Sequence, residues 1–276
     1  MEVRVAVAIA GGFAPAICPA AGFEPRTTRM NEYTGEADDF YINMNLNTEM
    51  ELPTGRETVL HYFEQMKKAF PDLRNLQTRE NGDLLLEGDK EVGSHRWLSI
   101  ETRRLGSGQV NPPTIQDAYR QHELVLDLAP HMLAISLLDC EALDVMFGFD
   151  FSFEGNHDEV VAEALGLGPS MEGLLELPGS RVINFEPSVT LAIDPACRLQ
   201  CRLSVETRTN AYQVRTDEYD DDQISVYFTV RQYWGNGPDR TFLESFRHQS
   251  GIAEEIVRDR VIPRIVRPLA QAIASR

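Results

Sequence analysis

The sequence predicts an α+β fold: duplicated β-α-β-β-α units forming one antiparallel sheet with helices packed on one face. Three observations carry this. Several stretches alternate apolar and polar residues with the period of a strand, among them Phe40, Ile42, Met44 and Leu46, and the row Val145, Phe147, Phe149, Phe151 and Phe153. Other stretches repeat apolar residues at helical spacing, such as Val59, Leu60, Phe63, Met66 and Phe70. The chain also overlies itself without a gap at a shift of 127 residues. Thr102 then meets Thr229, Arg104 meets Arg231, Gly108 meets Gly235, Thr114 meets Thr241 and Arg120 meets Arg247. The matches fall at like places, in strand, turn, helix cap and helix face, which argues for an internal duplication.

In chain order, the strand through Phe40–Leu46 is followed by a helix opened by Pro53 and Thr54 and closed by Pro71. Leu73–Glu87 reads as one or two strands about the Asn81-Gly82 turn signal. Trp97–Leu105 reads as one further strand, Gly106-Ser107-Gly108 as the turn after it, and Pro112-Pro113 as its stop. Thr114 caps a helix running towards Leu138. The second half repeats the plan. Leu143–Phe153 is a strand and Val160–Leu165 a helix; Val182–Ile193 and Arg198–Arg208 are strands joined at Asp194-Pro195. Ile224–Trp234 is another strand, Gly235–Pro238 a turn, and Thr241 opens the last helix, which Pro263 and Pro268 should kink or break. The resulting organisation is a leader over 1–36, a first α+β repeat over 37–140 and a second over 141–276.

The leader contains an uncharged run, Val5–Phe23, long enough to suggest a membrane span. Gly11, Gly12, Pro15, Pro19 and Gly22 interrupt it, so a non-structural leader or a secretory signal is the better reading.

Charge narrows the partners. The 276 residues hold 26 Lys plus Arg against 43 Asp plus Glu, a net charge of −17. Nucleic acid and anionic membrane surfaces are excluded as partners, since both bind through clustered cations. The four cysteines, Cys18, Cys140, Cys197 and Cys201, have no zinc-type spacing and point to reduced thiols in the cytoplasm, or to export if the leader is a true signal. No metal and no cofactor is expected. There is no GxSxG elbow and no phosphate-binding glycine loop. The acidic run Asp217–Asp222 lacks the spacing of a calcium loop and reads as a solvated turn.

The candidate ligand-binding residues are Arg104, Arg120, Arg231 and Arg247, which the shift pairs, with His122 and His248 beside them on the helices. Thr114/Asp117 and Thr241/Glu244 also read as helix capping boxes, which would explain part of the pattern by structure alone. The first functional reading is a non-catalytic binding or interaction module. The alternatives are an enzyme that clamps a small anionic substrate between paired Arg residues, and a structural subunit of an assembly. The partner is then another protein, a small anionic ligand or a second copy of the chain in a homo-oligomer.

Overall fold

The computed structural model describes Tyr33, residues 35–234 and residues 240–276. The leader run and the Gly235–Pro238 turn lie outside the described residues.

The fold is α+β. Among the described residues, nine strands form one antiparallel sheet: β1 (Asp39–Thr48), β2 (Asn75–Thr78), β3 (Leu84–Glu87), β4 (His95–Ile100), β5 (Arg104–Val110), β6 (Cys140–Glu154), β7 (Ser188–Ala192), β8 (Leu199–Glu206) and β9 (Asp221–Tyr233). Their order is β2-β3-β4-β5-β1-β6-β9-β8-β7, with every ladder antiparallel. The helices are α1 (Arg56–Ala69), α2 (Ile115–Met132), α3 (His157–Leu165), the short α4 (Pro169–Glu172) and α5 (Ala211–Thr216), α6 (Phe242–Ile256) and α7 (Arg267–Ala274). None of them is long and apolar enough to cross a membrane.

Strand alternation divides the sheet into a covered and an open face. Phe40, Ile42, Met44 and Leu46 of β1, Val145, Phe147 and Phe149 of β6, and Val226, Phe228 and Val230 of β9 are buried under the helices. The helix α2 packs on β5 and β1, and α6 packs on β6 and β9; α1 leans on α2, α2 on α6, and α3 on α7. Each large side chain buried in this layer contributes about 1.5–3 kcal/mol. Tyr33 belongs to the same core, its ring 5.0 Å from that of Phe40 and close to Phe147 and Phe149. Arg267 grips Glu36 through two nitrogens. Tyr33 and Glu36, which the sequence places in the leader, thus pack with the folded body.

Four local expectations are corrected. Trp97–Leu105 is not one strand: the chain reverses at Thr102-Arg103 between β4 and β5. No Gly, Pro or Asn marks the turn. It is held from outside, because its carbonyls accept from Leu52 N (2.8 Å) and Thr48 N (3.0 Å). Gly106-Ser107-Gly108 is strand, not turn. The two glycines are required because Trp97 lies over them, and a Cβ on Gly108 would sit 2.3 Å from its indole nitrogen. Val182–Ile193 is strand only over Ser188–Ala192, since the preceding residues are pinned to α3 by side chains: Asn156 Nδ2 donates to Val182 O, and Phe185 N donates to Asp158 Oδ1.

Finally, Pro263 does not break the last helix. The chain from Phe242 to Ala274 stays helical, with a π-helical stretch over Val257–Val266 that contains Pro263. A wider turn accommodates the proline ring and its missing N–H, which a regular α-helix cannot do.

Candidate functional site

The open face carries a depression of about 400 Å³ over β1, β6, β9 and β8. Its floor is laid down by alternation. Tyr41 and Asn43 come from β1, Met146 from β6, Tyr227 and Thr229 from β9, and Arg202, Ser204 and Glu206 from β8. The registers bring them together: Asn43 faces Met146, Met146 faces Thr229, and Thr229 faces Arg202.

Two tyrosines give the depression an aromatic wall. The rings of Tyr41 and Tyr227 lie 6.3 Å apart at 60°. Gly148 lies beneath the Tyr41 ring, where a Cβ would meet the ring at 2.1 Å. Tyr41 Oη donates to Asp150 Oδ1 at 3.0 Å. Burial, and then the Asp150 charge, push the phenol pKa far above its ordinary range, so Tyr41 stays neutral and acts as a fixed donor. Burial also raises the Asp150 carboxyl, opposed by hydrogen bonds from Ser225 and Tyr41.

The polar groups are unevenly satisfied. Asn43 Oδ1 is buried with no hydrogen-bond partner among the described residues, a state that costs about 1–3 kcal/mol in a protein interior. Arg202 is exposed; its Nε donates to Ser188 Oγ at 3.3 Å, and it makes no ion pair among the described residues. Glu206 projects from the same face of the same strand four residues on, about 13 Å along it. The chemistry available is therefore a cation, an anion, hydroxyls, an amide and two aromatic rings, with Met146 as the one aliphatic side chain.

The residues singled out from the sequence lie elsewhere. Arg104 and Arg231 stand on the open face outside the depression, three ladders or about 14 Å apart, with Arg231 two residues along β9 from Thr229. Arg104 is held by Glu101. Arg231 binds Asp144 and reaches Tyr233 Oη. Arg120 and Arg247 lie in the helix layer on the opposite side; Arg120 pairs with Asp117, and Arg247 Nε donates to Glu123 Oε1 at 2.7 Å. The four guanidiniums thus do not converge on one cavity, and each has a carboxylate of its own.

His122 is fully buried between α2 and the sheet, Nδ1 2.9 Å from Ser107 Oγ. Burial lowers its pKa to about 3, so it is neutral in the fold. It belongs to a polar seam in which Arg96 Nη1 donates to Gln109 and Gln121 while Gln121 Nε2 donates to Ser107 Oγ and Gly108 O. His248 is exposed on α6, its pKa lowered by partial burial and then by Arg240.

The residues missed from the sequence are the alternate ones of β1. Asn43, Asn45 and Asn47 interleave with Ile42, Met44 and Leu46. Asparagine is a poor strand former, so three in alternation on one face mark a surface where polarity is wanted. Among the described residues, no group of three or more His, Cys, Asp or Glu is placed to hold a metal ion. Set against known protein families and curated proteins, the chain matches neither a family model nor a curated protein.

Proposed function

We propose that the chain is a non-catalytic binding module whose ligand lies on the open face of the sheet, with an apolar or aromatic body between Tyr41, Tyr227 and Met146 and an anionic group at Arg202. The observation that carries this is the depression itself: a concave patch that holds, among the described residues, an unmet buried acceptor, Asn43 Oδ1, and a cation with no acid of its own. Elsewhere in this chain the arginines named above are neutralised locally. Ligand sites of this size commonly combine an apolar lining with a few polar groups that fix orientation. The net charge of −17 keeps nucleic acid out of the reading. The free thiols Cys140, Cys197 and Cys201 fit a reducing, cytoplasmic setting.

The test is a titration of the ¹⁵N-labelled protein with 3-phenylpropionate and, separately, with its carboxamide. The expected result is saturable amide shifts centred on β8 and β9 for the carboxylate, at least about tenfold weaker for the carboxamide and lost in Arg202→Met. Shifts scattered over the helix face, or equal binding of both probes, would exclude the reading.

A duplicated origin of the two halves belongs to the same proposal. Apart from the extra edge strand β2, the sheet order is symmetric about the β1–β6 ladder, and α2 and α6 cover corresponding strand pairs. Laying β3 on β7, β4 on β8 and β5 on β9 sets Ile42 over Val145, Leu98 over Leu203 and Leu105 over Val226. In that register Val110, four residues before Thr114, lies over Arg231, ten residues before Thr241. The shift of 127 thus fits the helices, while the strands need a six-residue insertion between β9 and α6. On this reading Arg104 matches Ser225 and not Arg231. A solved structure whose halves do not superpose in this register would remove the duplication without touching the binding site.

A further inference from the structure

The two edges of the sheet are unlike. At β2 the edge reads Asn-Leu-Gln-Thr, flanked by Arg74, Arg79 and Glu80. Charged flanks of this kind protect an edge against pairing with other strands. At β7 the edge reads Ser-Val-Thr-Leu-Ala, with no charge, no proline inside it and no register shift against β8. All five residues are exposed. Val189 and Leu191 point to the side on which the helices lie, opposite Leu203 and Cys201, yet they remain 47% and 55% exposed, and Ile193 just beyond is 38% exposed. The segment leading into β7 adds Met171, Leu174, Leu175, Leu177 and Ile183, each about half exposed.

We infer that β7 pairs with β7 of a second copy of this chain, antiparallel about Thr190, so that one sheet runs through two molecules. The strand is self-complementary under that twofold. Val189 comes opposite Leu191 of the second copy and Leu191 opposite its Val189, all on the helix side, while the two Thr190 meet on the open side. An isologous contact repeats one patch twice and closes on itself. Val189, Leu191 and Ile193 would give the new ladder an apolar cover on the helix side, and the segment before β7 carries further exposed apolar side chains. Charge selects the place: in a chain of net charge −17, an uncharged strip is where two copies repel each other least. The twofold also brings Glu186 towards Asp194 of the second copy at each end of the ladder, so added salt should tighten the pairing by screening them.

The test is sedimentation equilibrium of the full chain, 31.1 kDa as a monomer, at 50 mM and 500 mM salt. The expected result is a dimer whose dissociation constant falls with salt and rises at least about tenfold in Leu191→Lys. Leu191 is exposed in the single chain, so that variant should keep its circular dichroism and melting temperature. Leu76→Lys, at the other edge, should leave the dimer intact. Thr190→Cys in a Cys18→Ser, Cys197→Ser background should form a covalent dimer on mild oxidation, because the outward N–H and C=O of residue 190 make it a hydrogen-bonded antiparallel pair on the twofold, with the two Cα atoms about 5.5 Å apart and within disulfide reach. A wild-type monomer up to 100 μM, a dimer untouched by Leu191→Lys, or a dimer lost when the chain begins at Met30 would each overturn the inference.

Discussion

Arg231 holds Asp144 through two parallel hydrogen bonds across the β6–β9 ladder, Nε to Oδ1 and Nη2 to Oδ2, each 2.6 Å. The carboxylate is nearly buried and also accepts from Asn47 Nδ2 at 3.2 Å, so the pair ties β1, β6 and β9 together on the open face. Forked arginine–carboxylate bonds are stronger than single ones. The guanidinium end is partly in water, which screens it. Arg231→Leu should therefore cost about 1–3 kcal/mol, chiefly by leaving Asp144 without its cation. Adding Asp144→Leu should recover part of the loss. Urea denaturation of the two single variants and the double one measures this, and a double variant as unstable as the sum of the singles would show that the two side chains do not act as a pair.

His122 gives the fold an acid-sensitive point. Its pKa is about 3 in the folded chain because burial disfavours the imidazolium, against 6.5 when it is free. The unfolded chain therefore takes up a proton that the folded chain refuses. Stability is whole above about pH 6.5 and falls as the pH drops towards 3, by up to about 1.4 kcal/mol per pH unit within that window. His122→Gln should lower stability at pH 7 yet flatten the pH slope between 6.5 and 3. Equal slopes in the two proteins, read from urea midpoints at several pH values, would show that His122 is not the titrating group.

How much of this the sequence disclosed follows from what local pattern can encode. The period-two row Phe147, Phe149, Phe151 reads directly as a covered face, and one capping box is there: Thr241 Oγ1 accepts from Glu244 N while Glu244 accepts from Thr241 N; at Thr114 the hydroxyl accepts from Asp117 N as a simple cap. What stayed hidden was set by distant partners. The β4–β5 turn has no turn residue because residues 48 and 52 hold it. The strand character of Gly106–Gly108 depends on Trp97, which arrives from the neighbouring strand. The candidate site was missed for a related reason. A shift of the sequence along itself finds matching arginines but cannot tell which side of a sheet each faces, and so it grouped Arg120 and Arg247 with Arg104 and Arg231 across the whole thickness of the molecule.

Asp158 should control the segment before β7. It is fully buried at the start of α3, and its Oδ1 accepts from Phe185 N at 2.6 Å and from Thr207 Oγ1 at 2.9 Å. Asp158→Ala leaves Phe185 N without this acceptor and Thr207 Oγ1 with only its longer bond to Glu186 Oε1 at 3.4 Å, a loss of about 1–3 kcal/mol. Trypsin should then cut after Arg181 faster than in the wild type, while Asp158→Asn, which keeps an oxygen, should cut more slowly than the alanine variant. Unchanged cleavage in Asp158→Ala would mean that Asn156 and the contacts of Arg181 with Val214 and Asp217 suffice to hold the segment.

Gly148 should be irreplaceable for the open-face depression and for a steric reason alone. Its place in the middle of β6 would ordinarily favour a side chain, since glycine weakens a strand. Here a Cβ would stand 2.1 Å from Cε2 and 2.4 Å from Cζ of Tyr41, so the ring must leave. Its departure breaks the bond to Asp150 and the contact with Tyr227, which together form the aromatic wall. Gly148→Ala should cost about 1–3 kcal/mol, as overpacking does, and abolish the amide shifts caused by 3-phenylpropionate. The double variant Gly148→Ala, Tyr41→Ala separates cause from effect. Removing the ring makes room for the methyl group, so thermal stability should rise above that of Gly148→Ala, while binding should stay lost because the wall is gone. Binding that returns in the double variant would show that Tyr41 takes no part in the site, and stability that fails to return would show that something other than Tyr41 forbids a side chain at position 148.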